Sequence, residues 1–583
     1  MLNNCIKIFK RQPDMEKFVL DTYVPADGDY IVMKYQDEKF IEKLHIKVKQ
    51  DKKTRTLNLS PLEKYKISQL DYYSKLVEMN KPIDPKKVIH SNNYLSFWIK
   101  KDNLTSGKLT KDIIDRYYEV LENPYTKYTK KHDQELYESV EKELGPVNRE
   151  RLALVKTWVK ENIFNLPYEI EGKDYLKIFF EFEDIDIKAE GKRYFIPNLF
   201  NKNDFNTKVN GEIYGLPNNN MQMNSKKPYL EYKNRVTKVP LLQTSEHVLE
   251  QKLFFDYLQN CASGGLYNIY FIKEMEEQDD YQIRPLTNKE LPKIKSGYGY
   301  YLRVYKEKNE ACIQEMDQLT NYCSKLEKPI NVRNITEVGT ELLKSPVYGQ
   351  IKDLKELSGR INDVMFSNFL TNNYFTEPGN ITGIEPKLKR NLVLSRTAFF
   401  NWFYKDDSSS VKAIWDKISL NIIKCSMELG YIIKANHQFN MRLAVLAYFK
   451  GGKTNMADVM IQVRSNLRDK INAKEYQSIE NDEEYYYAVG QLSSYLLSKN
   501  KSKKREHSLI NGFLNAKTDN ILKQKLTVLF KRYNYDIDAN SKRFNNLYSM
   551  ILSYQVGTPV KQDYLIAGYI SGNLIYEKNK EEQ

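Results

Sequence analysis

The chain has 583 residues, enough for about four domains of ordinary size and for large buried cores. Its formal net charge is +14 and its pI is about 9.0, which favours a polyanionic partner such as nucleic acid. The five cysteines form no Cys-x-x-Cys pair, which argues against a disulfide scaffold and a zinc knuckle. No stretch approaches ~18 apolar residues, which argues against a membrane span, and we expect a cytoplasmic protein.

The N-terminal region, residues 1–165, is predicted to combine strands with helices. The first fifty residues look rich in strands: alternating side chains mark Tyr30–Tyr35 and Phe40–Val48, and Ala26–Asp29 gives a turn signal. From residue 61 to about 165, the spacing of apolar side chains is largely helical.

The middle region, residues 166–390, is predicted to be mixed α/β. Its strand signals lie in four segments, Tyr175–Lys188, Lys192–Phe200, Leu266–Ile272 and Tyr298–Lys306. Between the second and third of these lies a polar segment without strand or helix periodicity, Asn210–Arg235, which we call the Asn-rich loop.

The C-terminal region, residues 391–583, has no convincing strand signal and is predicted to be a helical bundle. Its apolar residues recur at helical spacing in three sets, Tyr485/Val489/Leu492/Leu496, Leu522/Leu526/Leu529/Tyr533 and Phe544/Leu547/Ile551. The sequence thus predicts a multidomain α+β protein, mixed α/β in its N-terminal and middle regions and all-α at its C-terminus.

The Asn-rich loop carries short amides beside lysines. Amide side chains can probe base-edge acceptors in the minor groove, and lysines can bind adjacent phosphates. The amides are Asn218, Asn219, Asn220, Gln222 and Asn224, and the lysines that follow are Lys226 and Lys227. Either this segment reads DNA, or it is a solvated insertion or docks against another protein subunit.

Two further clusters are candidates for contact with nucleic acid. Asn92 and Asn93 lie beside Lys100 and Lys101 in a second amide-and-lysine pattern. A basic run lies between two predicted helices and could contact a displaced strand or a guide backbone. This basic run consists of Lys499, Lys501, Lys503, Lys504 and Arg505.

Three short patterns suggest catalysis, and each has a structural explanation that we prefer. His132-Asp133 matches the dipeptide of metal-dependent HD hydrolases but lies in a charged helical segment without further ligands. Asp174, Asp186 and Lys188 resemble the carboxylates and lysine of restriction-type nucleases, although alternation in a half-exposed strand explains them as well. Gly452-Lys453-Thr454 lacks the leading glycine of a phosphate-binding loop and fits a junction between helices.

Five segments, in order along the chain, together resemble the large subunit of type I-B CRISPR surveillance complexes (Cascade). They read IHSNNYLSFWIKK (residues 89–101), NGEIYGLP to MNSKKPYLEYKNR (210–235), VPLLQTSEHVLEQKLFFDYL (239–258), LSRTAFFNWFYK (394–405) and YYYAVGQLSSYLLSKNKSKKREHSLINGFLNAK (485–517). The resemblance covers nearly the whole chain, and its weight lies in the shared order of the five segments. Some relatives carry a Cys-rich zinc element in the middle, which this chain lacks.

The resemblance implies a non-catalytic protein without a cofactor. It would bind a complex of guide RNA with backbone, guide-end-capping and small subunits, and would read a short protospacer-adjacent motif on double-stranded target DNA. It would also help to open the duplex, form the R-loop with its displaced single strand, and recruit a separate helicase-nuclease. The alternatives are a metal-dependent nuclease using Asp174, Asp186 and Lys188, or a general single-strand RNA-binding scaffold.

The resemblance also implies a C-terminal domain like the small subunit, which is often made from an internal start codon. Every glycine codon begins with GG, so Gly451-Gly452 forces a purine-rich GGNGG string upstream of Met456. A product starting at Met456 would comprise residues 456–583 and begin just before a predicted helix with apolar Val459, Val463 and Leu467. The other interpretation is a helix-breaking glycine pair followed by an unrelated methionine.

Overall fold

A computed structural model of the protein forms two compact units. Unit 1 comprises residues 1–273, 277–288 and 298–319, and unit 2 comprises residues 274–276, 289–297 and 320–583. The structure describes the chain except for residues 52–55, 184–185, 202, 204–205, 218–241, 276–279, 308–309, 338–346, 452–455, 501–506 and 578–583.

The elements of unit 1 are nine helices and eleven strands in the described chain. The helices are α1 (Leu2–Lys10), α2 (Met15–Thr22), α3 (Pro61–Ser74), α4 (Lys101–Thr105), α5 (Lys111–Glu122), α6 (Lys131–Leu144), α7 (Arg149–Asn162), α8 (Ile187–Phe195) and α9 (Ser245–Gly264). The strands are β1 (Gly28–Gln36), β2 (Lys39–Val48), β3 (Ser96–Lys100), β4 (Tyr175–Glu181), β5 (Thr207–Val209), β6 (Glu212–Gly215), β7 (Gln243–Thr244), β8 (Leu266–Glu274), β9 (Gln282–Thr287), β10 (Gly297–Glu307) and β11 (Glu310–Tyr322). Single ends of β8, β10 and β11 extend into the residues of unit 2.

Unit 2 is helical apart from one pair of strands in its described part. The strands are β12 (Lys325–Val332) and β13 (Gly349–Asp353). The helices are α10 (Leu354–Val364), α11 (Pro386–Lys405), α12 (Ser409–Glu428), α13 (Ile432–Phe449), α14 (Met456–Asn472), α15 (Asp482–Ser498), α16 (Asn511–Leu514), α17 (Asp519–Tyr533), α18 (Lys542–Ser553) and α19 (Gln562–Ile570).

The first sheet of unit 1 has the strand order β2-β1-β4-β3. Strands β1 and β4 are parallel, and each pairs on its other side with an antiparallel neighbour. Lys177 lies in the middle of β4 between its register partners Tyr30 and Trp98, with its ammonium over both rings. The same ammonium binds the carboxylate of Asp71 on α3, so an ion pair is buried where the helix meets the sheet.

The second sheet of unit 1 has the strand order β11-β10-β8-β9 and packs with α1, α2 and α9. Phe9 of α1 contacts Phe254 and Tyr257 of α9, with ring centroids 5.6 and 5.3 Å apart. Burying such aromatic side chains contributes roughly 1.5–3 kcal/mol each, which holds the N-terminal helices against this part of the unit.

Helices α15 and α19 approach closely in unit 2 because each has a glycine at the contact. A Cβ on Gly490 would lie 2.2 Å from the carbonyl oxygen of Leu565, and a Cβ on Gly568 would lie 2.1 Å from that of Tyr487. The core around this contact includes the three apolar sets predicted from the sequence, all of which are buried. Phe439 and Leu443 of α13 belong to the same core.

The prediction for the first fifty residues is confirmed only for β1 and β2. Residues 2–10 and 15–22 are helices, and the apolar residues Cys5, Ile6 and Phe9 bury one helical face. The hairpin reverses at Asp37-Glu38, both with positive φ, rather than at Ala26–Asp29, which precedes β1. Two such residues match the twist of the flanking strands.

The predicted strand at Lys192–Phe200 is wrong, since these residues finish α8 and continue into a short 3-10 helix. The strand signal at Tyr175–Lys188 holds only as far as Glu181.

The compact units also do not follow the predicted domain boundaries. Residue 165 lies inside unit 1 because β4 returns to pair with β1, and residue 390 lies inside α11.

The multidomain α+β fold class is confirmed, including a helical C-terminal region throughout its described residues. The helix predicted after Met456 begins at Met456 itself. Its buried positions include Met460, Val463 and Leu467, while Val459 is exposed. Within the described chain, no helix combines the length and the apolar character needed to cross a bilayer.

Candidate nucleic-acid interface

The Asn-rich loop is anchored at both ends in unit 1. Strand β6 lies near its start and pairs antiparallel with β7, which follows its end, with Tyr214 opposite Thr244 and Gly215 opposite Gln243. The amides Asn218, Asn219, Asn220, Gln222 and Asn224 and the lysines Lys226 and Lys227 lie outside the described residues. The described flanks therefore hold the entry and the exit of this segment at one place on the unit.

Gly215 makes this anchor compact. A Cβ at this position would lie 2.4 Å from the Asn206 side chain and 2.5 Å from the Phe200 ring, so β6 can approach these residues only with glycine there. Phe200 is fully buried with Leu199 and Val248 in a small apolar cluster. The loop thus leaves from a packed base.

The prediction that Asn92 and Asn93 contact nucleic acid is wrong, because both side chains are buried. Asn92 and Asn93 are only 3 % and 2 % exposed. The Asn92 amide donates to the carbonyls of Tyr73 and Lys75 at 2.9 and 3.0 Å, and the Asn93 side chain accepts from the Leu95 N–H at 2.9 Å. Since these groups hold the turn before β3, they are not available to base edges.

Lys101 is also committed within the fold. Its ammonium lies 2.5 Å from Asp29 and 2.9 Å from Asp174, and its side chain is buried. Burial lowers the pKa of Lys101, but the two carboxylates outweigh that effect and the pKa is raised. Lys100, the last residue of β3, is partly exposed and is the one member of the cluster that can still face a phosphate.

The basic run begins in unit 2, where α15 ends. The ammonium of Lys499 lies 4.8 Å from the Tyr495 ring centroid and 5.5 Å from that of Tyr576, a cation–π arrangement that keeps it against the bundle. Lys501, Lys503, Lys504 and Arg505 lie outside the described residues. The described chain resumes at residue 507 in a 3-10 turn that leads into α16.

An open groove lies immediately after the basic run, between α16 and the start of α17. Its lining includes Asn511, Asn515, Lys517 and Lys525. The Lys525 ammonium lies 3.0 Å from where a Gly512 Cβ would be, so it reaches across the groove over the glycine. Neither Lys517 nor Lys525 forms an ion pair within the described chain. Both cations are therefore open to an anion.

One face of α17, which starts at the groove, carries alternating apolar and basic side chains. Ile521, Lys525, Val528 and Arg532 recur at intervals of three or four residues, which places them on one side of the helix. Ile521 and Val528 are 37 % and 56 % exposed, and Tyr535 beyond the helix end is 70 % exposed. We call this set, with Lys517, the α17 face.

The opposite side of α17 explains why the sequence did not reveal this surface. The apolar set Leu522/Leu526/Leu529/Tyr533 was assigned to the core, and all four residues are indeed buried. Lys517 precedes α17, and Lys525 and Arg532 are seven residues apart on it, so these basic residues form no consecutive run in the sequence. Lys525 and Arg532 lie on one face only when residues 519–533 are projected as a helix.

The residues of the nuclease alternative do not meet. Asp174 precedes β4 and binds Lys101 at one end of that strand, whereas Asp186 follows it and caps α8 by accepting from the Lys188 N–H. Within the described chain, no hydrogen bond or ion pair joins Asp174 to Asp186. Lys188 pairs with Glu16 at 2.6 Å. Each of the three side chains thus has a structural contact of its own, and they belong to no metal-binding cluster among the described residues.

The other two catalytic patterns, His132-Asp133 and Gly452-Lys453-Thr454, lie in a helix and between two helices, respectively. His132 and Asp133 lie in the first turn of α6, where His132 contacts Glu135 at 3.3 Å. Residues 452–455 lie outside the described residues, but they connect α13 to α14, and a phosphate-binding loop would instead follow a strand. Among the described residues, no group of three His, Cys, Asp or Glu side chains is placed to hold a metal ion.

Comparisons of the chain with protein-family models, with curated proteins and with solved structures found no match.

Proposed function

We propose that this protein is the non-catalytic large subunit of a type I-B CRISPR RNA-guided surveillance complex. In this role it recognises the protospacer-adjacent motif, supports duplex opening and R-loop formation, and recruits a helicase-nuclease. Support comes from the five collinear segments, the net charge of +14 and the α17 face. The strongest single support is the open groove that follows the basic run and is lined by Lys517 and Lys525.

The proposal assigns different contacts to the two units. In RNA-guided recognition, base pairing reads the target while the protein reads only a short duplex motif. The Asn-rich loop of unit 1 reads that motif, and the basic run and the α17 face of unit 2 hold the displaced strand or the guide backbone. The partners are the guide RNA, the target DNA, the other Cascade subunits and the helicase-nuclease, all in the cytoplasm.

The α17 face has the chemistry that single strands require. Unpaired bases stack on aromatic or apolar side chains, while lysine and arginine neutralise the phosphates between them. Tyr535, Ile521 and Val528 provide the first kind of contact, and Lys525 and Arg532 provide the second. Asp519, the acidic residue of the first turn of α17, is bound by Lys523 and Tyr485. It therefore does not neutralise Lys525 or Arg532.

Neutralising the α17 face is expected to weaken binding to single strands and to reduce its dependence on salt. Each phosphate that the protein no longer neutralises lowers the slope of log K against log salt by about 0.7 on single strands. We therefore expect the Lys517→Gln/Lys525→Gln/Arg532→Gln variant to have a slope shallower by up to ~2, measured by fluorescence anisotropy with a labelled oligonucleotide. Replacing Lys501, Lys503, Lys504 and Arg505 by Gln should act in the same direction.

The matched control is Lys412→Gln/Lys417→Gln/Lys450→Gln, which removes three exposed charges from α12 and the end of α13 in the same unit. This variant should keep the wild-type slope. An equal loss in the control would mean that only net charge matters, and an unchanged slope in the α17 variant would remove this face from the interface.

The single-strand RNA-binding scaffold remains the second candidate, because the α17 face contacts a strand without reading its sequence. A competition assay separates the two functions. A surveillance subunit prefers duplexes that carry one short motif, whereas the scaffold binds all duplexes equally weakly and single strands better.

We also propose that Met456 serves as an internal start for a free small subunit. The product would begin at the first residue of α14 and contain α14 to α19. Expression of the gene with a C-terminal tag should yield a second species whose intact mass corresponds to residues 456–583. Synonymous recoding of Gly451-Gly452 together with Met456→Leu should abolish it, whereas a second species that survives this recoding would be a proteolytic fragment.

A further inference from the structure

A cavity of about 210 Å³ lies within unit 1, between the end of α3, α8 and α9. Its walls are mainly apolar and are formed by Leu76, Val77, Phe195, Leu249 and Leu253. Glu16 of α2 lies at its rim, where it accepts from Lys188 and from the Tyr73 hydroxyl, both at 2.6 Å. These contacts involve neither Lys75 nor Asp256, which also line the cavity.

The floor carries one carboxylate and two ammonium groups. Asp256 is almost fully buried and binds Lys252 one helical turn before it, and it accepts from the Tyr72 hydroxyl at 2.6 Å. Burial alone would raise the pKa of Asp256, but Lys252 and Lys75 outweigh it and the pKa is lowered. The carboxylate therefore stays ionised and balances one of the two cations.

Lys75 is the cation that is not balanced. Its ammonium lies 3.9 Å from Asp256, beyond hydrogen-bond distance, and donates no hydrogen bond within the described chain. It rests on the Tyr72 ring, 4.3 Å from the centroid, and its side chain is only 17 % exposed. Desolvation lowers its pKa to about 8. An ammonium with unused donors in an apolar cavity is costly unless an anion binds to it.

The charges around the cavity add up to one surplus positive charge. Lys188 is paired with Glu16, Lys192 with Glu143 at 2.8 Å, and Lys252 with Asp256, which leaves Lys75 alone. A single charge is matched by a monoanion, and the apolar walls favour a ligand with an apolar body. At roughly 20–30 Å³ per non-hydrogen atom, the cavity holds a ligand of about seven to ten such atoms.

We propose that this cavity binds a small monocarboxylic acid with an aromatic or branched apolar body, with its carboxylate on Lys75 and its body against Phe195, Leu249 and Leu253. The site is separate from the nucleic-acid contacts assigned above. A ligand here would bridge α3, α8 and α9 and would stabilise unit 1 by mass action.

The probe for the test is benzoate, and benzamide has the same shape without the charge. Titration calorimetry and thermal unfolding of the full chain should show binding of the acid, with the amide at least tenfold weaker. Lys75→Met keeps the length of the side chain but removes its charge, and it should weaken binding of the acid at least tenfold. Lys160→Met, which removes a lysine paired with Asp115 outside the cavity, should bind as the wild type does.

A second measurement on the wild type covers the case in which Lys75→Met does not fold. Labelling with an amine-reactive reagent, followed by mass spectrometry, should show that benzoate protects Lys75 but not Lys160. Failure of the acid to bind, equal binding of the amide, preference for inorganic phosphate, or absence of Lys75 protection would each overturn the proposal.

Discussion

Replacing Asp71 with alanine is expected to destabilise unit 1 by about 3–5 kcal/mol, because it leaves the Lys177 ammonium buried without a carboxylate. Asp71 is 1 % exposed and binds Lys177 and the Tyr23 hydroxyl. Lys177 would keep a hydrogen bond to the Tyr30 hydroxyl at 3.0 Å and its contact with the Trp98 ring. Neither group neutralises its charge. The free energy of unfolding, measured by urea titration, reports the loss.

The pH dependence of this loss follows from the Lys177 pKa, which burial lowers even in the wild type. Without Asp71, the folded-state pKa falls further, so over the range between the two folded-state values only the wild type keeps the proton. The deficit is therefore expected to shrink as the pH rises through that range, which lies below the pKa of an unfolded lysine. A deficit that grew with pH would contradict this assignment.

Two variants serve as controls for Asp71. Asp115→Ala breaks a partly exposed contact with Lys156 and Lys160 and should cost no more than about 1 kcal/mol. Asp71→Leu/Lys177→Met removes both buried charges and should recover most of the stability. If Asp71→Ala costs no more than Asp115→Ala, the ion pair does not stabilise the junction between α3 and the first sheet.

Replacing Asn218, Asn219 and Asn220 with alanine is expected to lower discrimination between correct and incorrect duplex motifs by about 1–3 kcal/mol for each base that these amides read. The salt dependence should change little, because the amides carry no charge. Competition between duplexes that differ only in the motif measures this discrimination. The paired β6 and β7 at the base of the loop are separate from the substituted residues, so the fold should survive the change.

Lys226→Ala/Lys227→Ala is the matched comparison within the same loop. It should weaken binding to all duplexes alike and make the salt slope shallower by about 0.9 for each phosphate that these lysines neutralise. An Asn variant that discriminates as the wild type does would show that the motif is read elsewhere.

Periodicity predicted the helical C-terminal region because one face of each helix is buried in a common core. Leu522, Leu526 and Leu529 keep helical spacing and are all buried. Periodicity failed at Lys192–Phe200, where aromatic and β-branched residues suggested a strand. The helix there buries Tyr194 and Arg193 against other parts of unit 1, and this packing outweighs local propensity.

The candidate sites were harder to predict, because an exposed amide and a buried amide look alike in a sequence. Asn92 and Asn93 had the composition of a reading loop, yet their hydrogen bonds hold a buried turn. The α17 face and the Lys75 cavity depend on residues brought together from different turns or different helices. Lys75 and Asp256 meet only because α3 packs beside α9.

Sequencing the RNA that co-purifies with this protein tests the central claim most directly. The tagged chain would be isolated from the cells that produce it naturally, and the bound RNA would be extracted and sequenced. A surveillance subunit should retain short RNAs that share constant repeat-derived ends and differ in the spacer between them. Recovery of no RNA, or of fragments that merely mirror the abundance of cellular transcripts, would contradict the assignment.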